Sequence, residues 1–316
     1  MKKTIITSTS IICFVLGFYA FGSLYCYRFP ENFTVEHNSQ INIKGLAYTD
    51  TLIRIAEDMN GSWYTIKNWL PNDIIASPSR LLDNPQNFQL GELEGLRYAT
   101  RVLRDNFSRM RTTDAIDDDC ELAFTAFSND PFRLFYPRSE WKYQEGIDAL
   151  RRYRERLVSG DAKFFPRADN QQEFIKQFLS LLGGASQRLA NAPRDTQDRI
   201  SEETAGDPGL SGEHRVRHHT SWLAIDDEFY FVSGELYVVY HLIQAIDYDF
   251  AEILALRKAD ELLISVKEIL LRAQMSPLIV VNGGSGSLLA NHSLQLQARL
   301  EDARQKLRSL QSVLEF

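Results

Sequence analysis

The most regular stretch of the chain reads LANHSLQLQARLEDARQKLRSLQSVL, from Leu289 to Leu314. An apolar residue returns every seven positions and again between those positions, while charged residues fill the other faces. We call the apolar positions the leucine seam: Leu289, Leu296, Leu300, Ala303, Leu307, Leu310 and Leu314. This spacing predicts an amphipathic helix whose seam is covered by other helices of the same chain. The alternative is a homodimer formed through this C-terminal helix.

Helical spacing recurs upstream of the leucine seam. Apolar residues three and four apart predict further helices over residues 92–111, 143–157, 174–192 and 253–270. Asp169 is the predicted N-cap of the third helix, and Asp249 with Glu252 resembles a capping box for the fourth. Residues 63–88 are rich in Trp and Pro and predict an irregular but ordered loop. The chain is therefore predicted to be all-α, a large multi-helix bundle with at most minor β structure.

An uncharged stretch precedes this helical body. Residues 5–27 contain no charged side chain, and a helix of about 20 residues crosses the roughly 30 Å of membrane hydrocarbon. Two lysines lie before the stretch, and basic flanks favour the cytoplasmic side. We therefore predict a cytoplasmic stub at residues 1–4, a single transmembrane anchor at residues 5–27 and an exported helical domain at residues 28–316. A signal peptide cleaved at the small-x-small site Ala20-Phe21-Gly22 is the alternative.

Composition limits the partners of the exported domain. The chain has a net charge of −7, which argues against a nucleic-acid partner because phosphate neutralisation requires clustered Lys and Arg. Cys120 is the only cysteine of the body and follows three aspartates, so a small buried residue is predicted there, not a nucleophile. Residues 191–213 combine Pro and Gly with charged residues and predict a subdomain junction. No cofactor is expected.

A series of short motifs runs along the chain. They are Trp69-Leu70-Pro71-Asn72-Asp73, Leu82-Asp83-Asn84-Pro85, Asn87-Phe88-Gln89-Leu90-Gly91, Leu103-Arg104-Asp105, Arg167-Ala168-Asp169-Asn170, Ile225-Asp226-Asp227 with Phe229-Tyr230, and Ala290-Asn291-His292-Ser293. In this order they resemble the proteobacterial family called domain of unknown function 2333. The resemblance implies an inner-membrane protein of a Gram-negative bacterium with a periplasmic helical body. It implies no activity and no catalytic residue.

A histidine cluster is the first candidate for chemistry. His214 and His218 are four residues apart, as two ligands on one helix face would be, and His219 follows directly. Arg215 and Arg217 lie between them and would repel a cation. Ordinary surface histidines are therefore the favoured interpretation, and no metal site is predicted.

Two further stretches are candidate sites. Asp226 and Asp227 are either an acid/base pair acting on a glycan bond or the acidic start of a helix. Adjacent residues point in different directions, so the helix start is favoured. Residues 278–287 join an apolar run to a Gly-rich turn, which is the outline of a phosphate cradle. The stretch lacks a Gly-Lys-Ser/Thr motif, and a flexible connector is favoured.

The favoured hypothesis is a non-enzymatic scaffold or accessory protein that binds other envelope proteins. Its candidate interaction residues within the motifs are Trp69, Asp73, Asn291 and His292. The alternative is an envelope hydrolase or amidase that acts on cell-wall or lipid material through an unrecognised Asp, Glu or His site. A pocket with facing carboxylates would favour the enzyme, whereas a filled bundle with an exposed apolar patch would favour the scaffold.

Overall fold

The fold is described by a computed structural model of the chain. It describes residues 13–14, 16–22, 29–35, 43–61, 69–73, 77, 83–111, 113–191, 225–275, 277, 280–282 and 291–315. Within these ranges the regular structure is helical, and an isolated β-bridge joins Asn282 to Asn291. The predicted all-α fold is therefore confirmed for the described part of the chain.

Nine α-helices form the described body. They are α1 (Leu46–Asn60), α2 (Asp83–Val102), α3 (Asp118–Phe127), α4 (Ser139–Ser159), α5 (Ala168–Asn191), α6 (Ile225–Asp249), α7 (Ala251–Leu256), α8 (Asp260–Ala273) and α9 (His292–Glu315). A π-helical turn, Leu103–Phe107, continues α2. Residues 13–14 and 16–22 are also helical.

Several predicted segments lie wholly or partly outside the described residues. Among them are the predicted junction beyond residue 191, the histidine cluster at residues 214–219 and most of the Gly-rich stretch 278–287. The predicted anchor at residues 5–27 is described only at positions 13–14 and 16–22. In the ranges that the structure covers, no helix combines the length and apolar character required to cross a membrane.

The main helices run between two ends of the bundle. At one end, which we call the proximal end, Asn60 Nδ2 at the end of α1 donates to the carbonyl oxygen of Glu140 at the start of α4, at 3.1 Å. At the other, the distal end, Tyr48 Oη near the start of α1 donates to the carbonyl oxygen of Ala99 near the end of α2, at 3.0 Å. Helix α1 is therefore antiparallel to both α2 and α4.

The closest helix contact joins α2 and α6. A methyl group placed on Gly91 would overlap the carbonyl oxygen of Phe231, and one on Gly234 would overlap that of Phe88. The two helices are parallel, because residues early in α2 meet residues early in α6. Glycine is required at the crossing because any side chain would force the two backbones apart.

The leucine seam is covered within its own chain. Its described members, Leu296, Leu300, Ala303, Leu307, Leu310 and Leu314, are all fully buried. Helix α9 packs them against α5 and α8, and Gln172 of α5 donates from Nε2 to the carbonyl oxygen of Leu314 at 2.7 Å. The predicted packing inside one chain is confirmed, and the seam presents no open apolar face among these residues.

The role predicted for Asp249 was wrong. Its carboxylate accepts hydrogen bonds from the backbone N–H groups of Gly45 and Tyr48, both at 2.8 Å, and so caps α1 instead of starting a new helix. The N-cap position Gly45 has no side chain to perform this task. The predicted helix 253–270 is also divided, into α7 and α8, around Lys258 with its φ of 54°.

Other helix boundaries differ from those predicted. Helix α2 begins at Asp83, inside the predicted irregular loop 63–88, because an acidic residue and an early proline suit a first helical turn. The helical stretch ends at Phe107, short of the predicted residue 111. Helix α5 begins at Ala168, so Asp169 lies in its first turn and is not the N-cap.

Residues 29–35 join the body at the proximal end and run along α6. The Phe29 ring stacks on Tyr230 with centroids 5.1 Å apart, near the start of α6. Further along, the Phe33 ring stacks on His241 with centroids 3.8 Å apart. The Arg54 guanidinium carbon lies over the Phe33 ring, 3.9 Å from its centroid. The segment that follows the predicted anchor is thus part of the core.

Candidate interaction surfaces

The distal end carries a groove of about 830 Å³. The chain after the π-helical turn, the start of α3 and the end of α4 form its walls. The lining residues are Ser108, Arg109, Met110, Asp114, Ala115, Ile116, Asp117, Asp118, Asp119, Arg156, Asp161, Ala162, Lys163 and Phe165. A volume of this size is within the range of ligand pockets, and π-helical turns such as the one beside it occur frequently at functional sites.

The carboxylates at the base of the groove are held by structural contacts. Asp117 Oδ1 accepts hydrogen bonds from the N–H groups of Asp119 at 3.1 Å and Cys120 at 3.3 Å, which makes Asp117 the N-cap of α3. Arg156 Nη2 lies 2.6 Å from Asp117 Oδ1 and 2.7 Å from Asp119 Oδ2. Arg152 Nε makes a further contact with Asp119 Oδ1 at 2.8 Å, so two guanidinium groups neutralise the two carboxylates and that of Arg156 bridges them.

Cys120 lies beneath this ion-pair cluster and is fully buried. Burial, and secondarily the negative charge of Asp117, raise the pKa of its thiol well above the ordinary range. A thiol in this environment stays protonated and is a poor nucleophile. The predicted buried core cysteine is confirmed.

The rim of the groove is mainly acidic. Asp114, Asp118 and Asp161 are exposed there, together with Lys163. The side chain of Met110 adds an exposed apolar contact. In the part of the chain that the structure describes, no group of three or more His, Cys, Asp or Glu side chains is placed to hold a metal ion.

A second exposed surface lies at the proximal end. Four large aromatic side chains, which we call the aromatic surface, are exposed within ten residues of sequence: Phe132, Phe135, Tyr136 and Trp141. Phe135 and Tyr136 are each 81% exposed. Exposed apolar clusters of this kind mark sites of contact with proteins or membranes.

Buried polar groups hold the loop that carries the aromatic surface. Trp69 Nε1 donates to the carbonyl oxygen of Pro131 at 2.7 Å, and Asn72 Nδ2 donates to that of Arg133 at 3.0 Å. Ser139 Oγ donates to the carbonyl oxygen of Asp130 at 2.8 Å. The loop is therefore fixed from three directions, and its aromatic side chains are presented by an ordered backbone.

The predicted site residues lie at separate places in the fold. Trp69 supports the aromatic surface from inside, and Asp73 is nearby, where its carboxylate accepts a hydrogen bond from Ser77. Asp226 and Asp227 lie in the first turn of α6. Burial, and then the charge of Asp83, raise the pKa of Asp227 to about 6. His218 and His219 lie outside the described residues.

Asn291 and His292 form the start of α9. Asn291 Oδ1 accepts a hydrogen bond from the N–H of Leu294 at 2.9 Å, as an N-cap does. His292 Nδ1 accepts one from the N–H of Val281, also at 2.9 Å. Both side chains fix the connection that enters the last helix.

Sequence reasoning missed both surfaces. The run Asp117-Asp118-Asp119 was visible, but its pairing with Arg156 is created by the antiparallel packing of α3 and α4. Phe135 and Tyr136 are apolar residues whose exposure cannot be read from spacing. Two aromatic residues in a row beside prolines were the available signal for a loop of this kind.

Comparison with known proteins identifies the family. The chain matches, over residues 2–315, the family described as "Uncharacterized protein conserved in bacteria (DUF2333)". Neither a curated protein nor a solved structure matches the chain. Since the family match covers nearly the whole sequence, the resemblance drawn from the motifs is confirmed, and the chain belongs to this bacterial family.

Proposed function

We propose that this protein is a membrane-tethered, non-enzymatic scaffold or accessory protein of the bacterial cell envelope. Its partner is another envelope protein, which binds at the distal groove. One observation carries the proposal: the groove is open, while its central carboxylates, Asp117 and Asp119, are occupied by a helix cap and by Arg156. A groove of this kind can accept a protein segment without performing chemistry.

The alternative, an envelope hydrolase or amidase, requires an acid and a base that can exchange protons with a substrate. Asp117 and Asp119 share the Arg156 guanidinium, and Asp119 also pairs with Arg152, so the two carboxylates do not face each other across a free space. Their arrangement stabilises the start of α3 and is less suited to proton transfer. The groove therefore gives more support to binding than to hydrolysis.

The rim indicates the chemistry of the partner. Three exposed carboxylates, Asp114, Asp118 and Asp161, are placed around the groove with one lysine. A partner segment that carries Lys or Arg would be attracted to this rim, and the attraction would weaken as salt concentration rises. Met110 provides an apolar contact beside these charges.

The topology that we propose places the distal groove away from the membrane. The anchor at residues 5–27 precedes the segment 29–35, which joins the bundle at the proximal end. With the N-terminus in the cytoplasm, the body lies in the periplasm. A reporter that is active only outside the cytoplasm should function when fused after Phe316, and activity of only a cytoplasmic reporter there would overturn this orientation.

Crosslinking in living cells tests the binding proposal. We would place a photo-crosslinking amino acid at Ile116, which lines the groove and is partly exposed. We expect a protein adduct that disappears in the Asp118→Lys, Asp161→Lys background. The matched control reverses two charges on α8, by Glu261→Lys and Glu268→Lys, and should leave the adduct unchanged. An adduct that is absent, or equally sensitive to both pairs, would contradict the proposal.

A further inference from the structure

We propose that the aromatic surface docks on the interface of the same membrane that holds the anchor. The partner is the zone of lipid headgroups and upper acyl chains, and the contact is a second one beside the anchor. The inference rests on the tether of the proposed function, but it concerns the opposite end of the body from the binding groove.

The position of the aromatic surface supports a membrane partner. Phe29, the first described residue after the predicted anchor, packs edge-on against Phe88 with centroids 5.2 Å apart. Residues 69–73 connect this point to the aromatic surface, because they donate hydrogen bonds to Gln89 at 2.9 Å and to Pro131 at 2.7 Å. The chain thus enters the body at the end that exposes the aromatic side chains. A short tether at this end would bring that surface to the bilayer.

The chemistry of the surface fits the interfacial zone of a bilayer. Trp and Tyr are enriched at this depth because their rings are apolar while their N–H or O–H groups reach water. Trp141 and Tyr136 form one such pair, with ring centroids 5.9 Å apart. Phe132 and Phe135 add side chains that can enter the acyl region. If this surface faced only water, the apolar area of all four rings would stay hydrated, which is unfavourable.

The local charge also favours lipid. Arg138 pairs with Glu140 at 2.7 Å and Lys142 pairs with Glu145 at 2.6 Å, while Arg133, between Phe132 and Phe135, is exposed outside these ion pairs. The whole chain, in contrast, has a net charge of −7. Anionic headgroups attract an exposed cation such as Arg133 over distances of about a Debye length. The acidic body would be repelled, which orients the proximal end toward the membrane.

The fixed backbone lowers the entropy loss on docking. Because Trp69, Asn72 and Ser139 hold the loop before any partner arrives, the rings do not have to be ordered at the membrane. A flexible loop of the same composition would bind more weakly.

Spin labels on the full-length chain test the inference. The chain is reconstituted in liposomes of phosphatidylethanolamine and phosphatidylglycerol, after Cys13→Ala and Cys26→Ala remove the two thiols outside the body. A nitroxide is then attached through Phe135→Cys or, as the control, Val158→Cys. These positions are 81% and 50% exposed, so the fold tolerates both. Cys120 is buried and does not react.

The two label positions differ in their expected distance from the bilayer. Helix α4 has 21 residues and begins beside the aromatic surface, so its end lies about 30 Å further away at about 1.5 Å per residue. We expect the label at position 135 to collide more with oxygen, which concentrates in lipid, than with a water-soluble nickel complex. The label at position 158 should show the reverse.

The possible outcomes distinguish a failure of the lipid contact from a failure of the proposed tether. If the chain floats with the liposomes but the label at position 135 is as water-accessible as that at position 158, the aromatic surface does not touch lipid. The tether would then stand and this inference would fall, with a protein as the remaining kind of partner for the rings. A chain that does not float with liposomes would overturn the tether, and the inference with it.

Discussion

Trp69 donates a hydrogen bond from its indole nitrogen to the carbonyl oxygen of Pro131, at 2.7 Å and across 62 residues of sequence. The indole is fully buried and also packs edge-on against Tyr143. Trp69→Phe would keep most of the packing but remove the donor. We expect the free energy of unfolding to fall by about 1–3 kcal/mol, since the partly buried carbonyl oxygen of Pro131 loses its donor. Faster amide exchange over residues 132–136 should accompany the loss.

The control for this variant is the exposed indole nearby. Trp141 is 56% exposed, so Trp141→Phe should change the free energy of unfolding by less than about 0.5 kcal/mol. Equal effects of the two substitutions would mean that the Trp69 hydrogen bond does not fix the loop.

The cap on α1 makes a second prediction. Asp249→Ala leaves the N–H groups of Gly45 and Tyr48 without their acceptor. We expect a loss of about 1–3 kcal/mol in denaturant unfolding, and a smaller loss for Asp249→Asn, which retains one side-chain oxygen. Glu252→Ala is the matched control. Its carboxylate is 78% exposed and pairs with Lys44, so less than about 0.5 kcal/mol should be lost. A silent Asp249→Ala would refute the cap.

Asp249 and the leucine seam show how far the fold could be predicted from sequence. The burial of Leu300 follows from spacing along one helix, which is a local property, and the prediction was confirmed. The partner of Asp249 is more than 200 residues away in sequence. Local reasoning assigned its carboxylate to the nearest helix start, whereas tertiary packing gave it to α1.

The candidate surfaces were less predictable than the helices for a related reason. A pattern of apolar residues indicates which face of a helix is buried, but it does not say which loop residues remain uncovered. From sequence alone, Phe135 would be assigned to the core because it is apolar. Its exposure depends on the backbone that Trp69 and Asn72 hold in place. Arg156 joins the groove only because α3 and α4 are antiparallel.

The buried imidazole of His241 gives the chain a pH dependence. Burial, and then the positive charge of Arg54, lower the pKa of His241 from 6.5 to about 3. Between these pH values the unfolded chain binds a proton that the folded chain does not. The contribution of His241 to stability is therefore fully present above about pH 6.5 and is lost as pH falls toward 3.

Comparison with His241→Phe isolates this effect. The variant ring can still stack on Phe33 but does not titrate. We expect the difference in free energy of unfolding between native chain and variant to shift in favour of the variant as the pH falls. Burial raises the pKa of Glu92, so Glu92 makes the free energy of unfolding depend on pH with the opposite sign. Both chains contain Glu92, so its contribution cancels in the comparison. Parallel pH profiles would contradict the assignment.

The leucine seam supplies a fourth prediction. Leu300 is fully buried between helices of its own chain, so Leu300→Ala should lower the free energy of unfolding by about 2–5 kcal/mol. The loss should be the same at every protein concentration, because the packing is intramolecular. Asp302→Ala, at an exposed position of the same helix, should be nearly silent. A loss that depended on protein concentration would point to an intermolecular seam.

At the crossing of α2 and α6, a Gly→Ala substitution should change the free energy of unfolding in the opposite direction from the one that helix propensity alone predicts. In an open helix interior, Gly→Ala stabilises by about 0.5–1 kcal/mol because alanine has less backbone freedom to lose. Gly184 in α5 is such a position, since a methyl group there would meet no atom within 4 Å. Gly184→Ala should therefore raise the free energy of unfolding.

Gly234→Ala should have the opposite effect. The added methyl would overlap the carbonyl oxygen of Phe88 and approach the backbone nitrogen of Glu92 at 2.8 Å. Backbone atoms within a helix cannot rotate away as a side chain can, so α2 and α6 would have to separate and lose packing along their length. We expect a loss of about 1–3 kcal/mol or more, measured by denaturant unfolding beside Gly184→Ala. If both substitutions stabilised the chain, the helices would not cross in backbone contact, and the parallel arrangement of α2 and α6 would have to be revised.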